Sequence, residues 1–440
     1  MMQNDGNVPS RITRRAAIRT AALLAVPSPA LRAQSRSGQL DVPGARTGEF
    51  SKPWLQNALE FGNRFVAWQS PYGGPDPIRC SYRTQGHFGP TQLHTTGPVT
   101  RALYRLYDET NFEDFKVAAD HYATFHLATL RDPYEPYYDE ENLTGKWRNR
   151  LSRSWVYGKG LSPCYEGFRL HNPAEDAFDI KAYACYRWLQ KYRRDDSGFG
   201  IGYESGKAAD GQFSCDLGEV GCGLVGFYNI AKYRPVLDDA TRLARFFLTD
   251  WREGSGEGVW SPKLGNWLLS PWPGEGGEHV TSQAFTVNGW GWSAYVVGNY
   301  LLRLYPLLHD ASMRRGIQEK CVRAMQWCFD TCQYEDGAHG MFERDDKWVG
   351  MGAAAILLFA EIHHARLMPS EIERAYRPKA EKSWQYLLTH TGRDSYPADG
   401  YIRVTGRTSK RPPENLVWLM AWTVEALLEG GKLFASTTGT

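Results

Sequence analysis

Two short acidic segments stand directly before apolar stretches of the chain. Asp345 and Asp346 precede one such stretch, and Asp216 and Glu219 open another. If these stretches are helices, the helix dipole and the free N–H groups favour a carboxylate there and lower its pKa. Carboxylates in that setting are candidates for the acid and base of a bond-cleaving reaction. Asp346 and Asp216 are equally suited to capping, and Glu219 completes a capping-box spacing, so a purely structural interpretation stays open.

Glycines at positions 218, 221 and 223 remove side chains from part of the helix that Asp216 opens. Without a Cβ atom, another group can come close to the backbone. We therefore expect something to approach this helix closely, and a ligand is one candidate.

The segment from Arg252 to Gly289 interleaves tryptophans with Gly and Pro. Sugar rings stack on indole faces, and nearby carboxylates and amides orient their hydroxyl groups. The segment predicts saccharide binding, although any one of these tryptophans could instead cover the end of the fold. The candidates in and just after it are Trp260, Trp267, Trp272, His279, Asn288, Trp290 and Trp292.

Other loop segments add aromatic and basic candidates. Trp155 and Tyr157 lie in the segment between Arg131 and Glu175, and His339 lies shortly before the acidic pair at 345–346. Arg403 belongs to a group of arginines near the C-terminus. Because guanidinium groups bind carboxylates with two parallel hydrogen bonds, arginines beside aromatic residues would suit a carboxylated sugar.

The elements that must hold these residues are two kinds of helix in alternation. Some stretches are apolar nearly all round, which is typical of helices buried on every side. Between them lie amphipathic stretches with apolar residues at helical spacing, such as Val236 to Leu248. Each turn from an apolar helix to the next amphipathic one is short, whereas each segment that leads from an amphipathic helix back to an apolar one, here called a return, is long. The long returns must therefore gather at one end. The apolar stretches are Val220 to Ala231, Trp290 to Leu302, Trp348 to Ile362 and Leu416 to Leu428.

The same alternation continues towards the N-terminus. Pro53 to Trp68, Phe112 to Leu130 and Asp176 to Tyr192 are predicted outer helices, and Val99 to Tyr107 is a predicted inner helix. A further inner helix is expected near Trp155 to Phe168, where glycines and a proline obscure the period. Six inner and six outer helices bury every inner face only by closing into a double ring, so the predicted fold is an all-α (α/α)6 toroid. An open helical solenoid is the alternative.

The N-terminal segment is predicted to be an export signal, with a basic disordered tail as the alternative. Thr13 to Arg19 fits the twin-arginine consensus except at Ala17, and a short apolar run and a cleavage-like site near Ala33 follow. We expect residues 1–33 to be removed, 34–50 to be flexible and 51–435 to form the toroid catalytic domain, in the periplasm or secreted.

The charge of the mature chain gives no reason to expect a nucleic-acid partner. Removing residues 1–33 takes away five Arg and one Asp, so the net charge changes from +2 to −2. The apolar run is too short to span a bilayer, so no membrane anchor is expected after cleavage.

The cysteines and histidines show no metal-binding spacing. No CxxC pair or HExxH is present, so zinc is not favoured and no cofactor is predicted, while calcium held by loop carboxylates stays open. Cys328 and Cys332 share a helical face, where cysteines more often pack as small hydrophobic side chains than form a disulfide.

This organisation resembles the (α/α)6-toroid carbohydrate-active enzymes, a superfamily of many glycoside hydrolases and several polysaccharide lyases. The resemblance covers most of residues 50–432. Asp345-Asp346 resembles the paired Asp of some toroid mannanases, and Cys215-Asp216-Leu217-Gly218 resembles the Asp-Leu-Gly stretch of unsaturated-uronyl hydrolases. The resemblance implies an oligo- or polysaccharide substrate, bound in the funnel formed by the loops that enter the inner helices.

Two reactions follow from these residues. In hydrolysis, one carboxylic acid protonates the leaving oxygen and a second carboxylate activates water or attacks the sugar, so we pair Asp216 or Glu219 with Asp345 or Asp346. In a lyase, a neutral His or Tyr removes the proton beside a uronate carboxylate that Arg or Asn neutralises. The lyase candidates are His279, His339, Asn288 and Arg403.

Two further alternatives belong to other classes. A non-catalytic glycan-binding protein would use the same aromatic loops. A terpene-cyclase-like toroid is suggested by Gln333 to Gly337, which resembles the Gln-x-x-Asp-Gly repeat of triterpene cyclases, but the chain lacks the aspartate-rich runs that such chemistry needs.

Overall fold

The structure is a computed structural model, and it describes residues 52–69, 91–130, 132, 154–193, 214–252, 258–269, 291–340, 347–391, 404–405 and 417–435. Outer and inner helices alternate along these ranges, with odd numbers for the outer ring and even numbers for the inner ring. In chain order they are α1 (Pro53–Ala67), α2 (Thr91–Thr110), α3 (Glu113–Thr129), α4 (Ser154–Lys159, Gly160–Tyr165 and Glu166–His171), α5 (Asp179–Leu189), α6 (Ser214–Ala231), α7 (Arg234–Leu248), α8 (Gly291–Leu304), α9 (Ala311–Trp327), α10 (Val349–His364), α11 (Ser370–His390) and α12 (Val417–Phe434).

Short elements decorate the ring. Single turns of 3₁₀ helix follow α5 (Gln190–Tyr192) and α8 (Tyr305–Leu307), and a π-helical turn follows α9 (Cys328–Cys332). Strand β1 (Trp260–Ser261) pairs with β2 (Asn266–Trp267), and β3 (Lys347–Trp348) pairs with β4 (Val404–Thr405), both antiparallel. None of the helices in the described ranges is both long and apolar enough to cross a membrane.

The inner helices form a closed ring. Each packs against the next in the order α2, α4, α6, α8, α10 and α12, and α12 packs against α2. Glycines allow the outer ring to approach α12 from two sides, because a Cβ atom at Gly430 would lie 2.2 Å from the Trp384 ring and one at Gly431 would lie 2.4 Å from the Trp54 ring. The predicted (α/α)6 toroid is confirmed, and the open solenoid is wrong.

Burial separates the two rings as the sequence pattern predicts. Every residue of α12 except Lys432 is buried, whereas α7 buries one face through residues such as Val236, Leu243 and Phe247. Burial of an apolar face contributes roughly 25 cal/mol per Å² removed from water, so the inner helices have their most stable environment inside the outer ring.

The inner helix predicted near Trp155 to Phe168 is α4, and a break in it hides its period. Ser162 has extended backbone angles (φ −153°, ψ 126°) inside the π-helical turn, and the Ser162–Pro163 peptide bond is cis. Since Pro163 has no N–H group, it cannot make the hydrogen bond that would continue a regular helix.

The two ends of the barrel differ in their connections. Several turns from inner to outer helices contain a residue in the left-handed region, namely Asn111 (φ 56°), Lys232 (φ 53°) and Arg366 (φ 56°). Asp310 caps α9 by accepting hydrogen bonds from the N–H groups of Ser312 (2.9 Å) and Met313 (3.2 Å). We call this the tight-turn end. The long returns enter the N-terminal ends of the inner helices, which we call the loop end.

Candidate active site

Part of the predicted site lies outside the described residues. Trp290 directly precedes α8 in the sequence, and Asp345 and Asp346 lie shortly before α10. The predicted residues that the structure does not describe are Trp272, His279, Asn288, Trp290, Asp345, Asp346 and Arg403.

Asp216 and Glu219 lie in the first turns of α6, at the loop end. Both side chains are half-buried. Glu219 Oε1 lies 3.5 Å from the ammonium nitrogen of Lys159, a residue of α4 that is 1% exposed. The same ammonium lies 4.9 Å from the centre of the Trp155 ring, within cation–π range. The structure thus brings Glu219 close to Lys159, which lies over the 7% exposed Trp155 ring, and places Asp216 one turn earlier on the same helix.

The glycines of α6 serve helix packing. A Cβ atom at Gly218 would lie 2.9 Å from Val296, and one at Gly221 would lie 2.5 Å from the Tyr300 ring. At Gly223 the neighbour is the backbone of Gly158, 2.5 Å away. The expected close approach is present, but the neighbouring helices α4 and α8 make it. Packing therefore explains these glycines without a ligand.

An aromatic layer lies across the lumen between α8 and α12. Trp292 stacks on Trp418 with ring centres 4.3 Å apart, and Trp422 meets Tyr295 edge-on at 4.9 Å. Because α10 separates α8 from α12 in the ring, these side chains must meet inside the barrel. Arg101 of α2, on the opposite wall, donates a hydrogen bond of 2.5 Å to the Tyr295 hydroxyl. The aromatic layer thus lies in the N-terminal halves of α8 and α12, towards the loop end, and Arg101 lies on its side towards the tight-turn end.

Trp260 and Trp267 pack the fold. Trp267 is fully buried, its Nε1 donates to the Phe247 carbonyl at 2.9 Å, and its ring meets Trp260 edge-on at 5.1 Å. Trp260 is 2% exposed and lies under the Lys320 ammonium, 4.5 Å away. The contacts of both rings among the described residues are packing contacts, and the sugar contact at these two positions stays a prediction.

Tyr157 also packs between the rings. It is 1% exposed, and its ring meets Trp188 of the outer helix α5 edge-on at 5.9 Å. These are packing contacts between the two rings of helices, and the substrate contact of Tyr157 stays a prediction.

His339 is a buried histidine next to an outer helix. Its Nε2 lies 2.8 Å from the hydroxyl of Ser383 in α11, and its ring packs on Phe329. Burial lowers its pKa to about 3, so the imidazole is neutral in the folded protein. The packing accounts for this residue without a catalytic role.

Sequence reasoning gave no specific role to Lys159 and missed three aromatic residues that shape the loop end. Lys159 pairs with Glu219, and Tyr295, Trp418 and Trp422 complete the aromatic layer. One signal was available: Trp418 and Trp422 are four residues apart and so share a helical face.

Among the described residues, no group of three or more His, Cys, Asp or Glu side chains is arranged to hold a metal ion. The described cysteines are all free thiols, Cys328 and Cys332 included.

Comparison with known proteins supports the fold through structure alone. No protein-family model matches the sequence, and no curated protein matches it either. Solved structures with the same architecture do match over most of the chain.

Three of these structures are carbohydrate-processing toroids. The α-1,6-mannanase GH76A from Salegentibacter sp. HEL1_6 is 11% identical, with a TM-score of 0.58 over 86% of this chain and 99% of that chain. A possible member of the GH105 family from Salmonella enterica serovar Paratyphi A is 14% identical, with a TM-score of 0.60 over 87% and 94%. A polysaccharide lyase is 13% identical, with a TM-score of 0.53 over 77% and 90%. At these identities the likeness establishes the fold.

Proposed function

We propose that this protein is a carbohydrate-active enzyme that cleaves glycosidic bonds of an oligo- or polysaccharide at the loop end of the barrel. The observation that carries the proposal is the contact of Glu219 in α6 with the Lys159 ammonium of α4, with Asp216 one helical turn earlier on α6. Carboxylates supply the acid and base of glycoside cleavage.

Hydrolysis is the reaction that these residues support best. Glu219, whose Oε1 lies 3.5 Å from the Lys159 ammonium, is our candidate for the carboxylate that accepts a proton or stabilises positive charge. We infer that the proton donor comes from the other acidic segment, Asp345 or Asp346, or from Asp216. An inactive variant of the Salegentibacter mannanase, solved with α-1,6-mannotriose, carries two adjacent Asp-to-Asn substitutions. That precedent supports testing the adjacent pair Asp345 and Asp346 here.

The second candidate is a polysaccharide lyase acting on a uronic-acid polymer. It is favoured by the lyase among the structural neighbours and by the arginine-rich segment around Arg403. A lyase product is unsaturated and absorbs in the ultraviolet, whereas a hydrolase releases reducing ends without that absorbance.

The test combines both detections on a panel of neutral and uronic polysaccharides. We expect Glu219→Gln and Asp346→Asn to lower turnover at least about 100-fold, the usual contribution of a general acid or base. Asp238→Asn, on the outer surface of α7, is the matched control and should keep full activity, because its side chain is 60% exposed.

Two outcomes would decide against hydrolysis, and a third would decide against the residues proposed for it. Ultraviolet-absorbing product together with full activity of both variants would identify the lyase. Sugar binding without any turnover would identify a glycan-binding protein. Full activity of both variants with reducing ends released would remove these carboxylates from the reaction.

Export through the twin-arginine-like segment is part of the proposal, and its test is loss of periplasmic protein on Arg14→Lys/Arg15→Lys substitution.

A further inference from the structure

A second cavity occupies the lumen at the tight-turn end, on the other side of the aromatic layer. Its volume is about 530 Å³, within the range of small-molecule sites. Side chains of α2, α4, α8, α10 and α12 line it. Asp108, His364 and Ala365, at the C-terminal ends of α2 and α10, lie at its exposed rim. This cavity shares no described residue with the patch of Asp216 and Glu219.

Most of the charges in this cavity are already paired. Each of its three arginines lies against a glutamate of another inner helix, so the charges of the pairs cancel. The pairs are Arg303 with Glu166, Arg101 with Glu425 (2.8 Å) and Arg105 with Glu429.

The pairs are also held by further hydrogen bonds. Glu166 accepts from the Ser162 hydroxyl at 2.7 Å and from the Asn229 amide at 3.1 Å, and Glu429 lies 3.0 Å from His364 Nε2. Networks of this kind fix the orientation of their members. The cavity wall is therefore pre-organised.

Two carboxyl groups of the cavity lie outside these pairs: Asp108 at the rim lies 3.0 Å from His171 Nε2, and Glu361 has no ion-pair partner among the described residues. It lines the cavity from α10, and its Oε2 is buried without a hydrogen-bond partner among the described residues. Burial raises its pKa to about 8, with Glu425 adding to the effect and Arg101 opposing it, so the group is mostly neutral at pH 7. A neutral carboxylic acid can both donate and accept a hydrogen bond.

We propose that this cavity is a second binding site, for a neutral polyhydroxylated molecule of hexose size. Paired charges favour neither an anion nor a cation, while their remaining lone pairs and N–H groups match hydroxyl groups. Leu302 and Leu357 supply apolar wall against which the C–H face of a sugar can pack. Glu361 supplies the unpaired hydrogen-bonding group that a hydroxyl would satisfy.

The test is calorimetric titration of the full chain with glucose, mannose and galactose, each compared with its uronate and its amino sugar. We expect at least one neutral hexose to bind more tightly than both charged forms. Glu361→Gln keeps a donor and an acceptor and should retain binding, whereas Glu361→Leu should weaken it about tenfold, the effect of one lost hydrogen bond to a buried group.

Blocking the rim locates the site. Ala365→Trp should abolish hexose binding, and Ala311→Trp, an equally exposed position on α9 outside the cavity, should not. Absence of any hexose binding, preference for a charged form, or binding that survives Ala365→Trp would each overturn the proposal. If Ala365→Trp fails to fold, the Leu and Gln variants of Glu361 still decide. Turnover at the loop end is measured separately, so either site can fail without the other.

Discussion

The two ends of the barrel lumen hold charge in different ways. At the tight-turn end, arginine and glutamate side chains from four inner helices form ion pairs on a wall made of helices. At the loop end, the described ion pair is Lys159 with Glu219, and the Lys159 ammonium lies over the Trp155 ring. Because the paired charges lie on inner helices, folding of the ring fixes their positions. The loop end also includes the long segments that enter the inner helices, and their sequences can differ while the ring stays the same, which explains how one fold carries several reactions.

Breaking one pair at the tight-turn end should have the largest effect on stability. Arg303→Ala leaves Glu166 facing Ser162 and Asn229 without its cation, and removal of one partner of a buried pair costs about 3–5 kcal/mol. Denaturant unfolding measures the loss. Arg234→Ala is the control, because Arg234 and Asp238 are 68% and 60% exposed and such pairs contribute at most about 1 kcal/mol.

A double variant sharpens the same comparison. Arg303→Met combined with Glu166→Gln removes both charges and should recover much of the loss, since a buried pair and an uncharged replacement differ little. Equal losses for Arg303→Ala and Arg234→Ala would show that the tight-turn end is as well solvated as the outer surface.

The pH dependence of stability should differ between wild type and Glu361→Gln. The pKa of Glu361 is raised to about 8 in the folded protein, from an ordinary value of 4.5. Between these pH values the folded state holds a proton that the unfolded state has lost, so stability falls as pH rises, by at most about 1.4 kcal/mol per unit. The Gln variant lacks this slope. Its stability relative to wild type, measured by thermal unfolding, should therefore increase as the pH rises from 5 to 8.

His339 contributes the opposite slope in both proteins. Its pKa is lowered to about 3 from 6.5, so the stability it contributes is present above pH 6.5 and is lost as pH falls towards 3. Taking the difference between wild type and Glu361→Gln cancels this contribution. Parallel curves for the two proteins would show that Glu361 is ionised in the folded state.

The rings were predictable from sequence because burial on all sides and burial on one face leave different patterns. The apolar run of α12 and the amphipathic period of α7 are visible without a structure. The inner helix α4 was harder to recognise, since Pro163 and its neighbouring glycines interrupt the period. The hydrophobic pattern predicts which face of each helix is buried. The alternation of fully buried and half-buried helices then predicts the closed ring.

The site was less predictable because a residue type does not report which way its side chain points. Trp267 and Trp292 look alike in the sequence, yet one packs from a β-hairpin against α7 and the other stacks on Trp418 of another inner helix. The cavity at the tight-turn end gave no local signal, because Arg101, Glu166 and Glu361 come together only when the ring closes. Such clusters depend on contacts between residues far apart in the chain.

The smallest predicted effect concerns the turns that define the tight-turn end. Arg366 holds φ 56°, a left-handed conformation that is unfavourable for a residue with a Cβ atom. Glycine adopts it without that cost, so Arg366→Gly should raise the free energy of unfolding by about 0.5–1 kcal/mol. Arg366→Ala keeps the Cβ atom and controls for loss of the guanidinium group, and equal unfolding midpoints for the two variants would contradict the account. Because the turn lies at the opposite end from the patch of Asp216 and Glu219, polysaccharide turnover should stay unchanged in both.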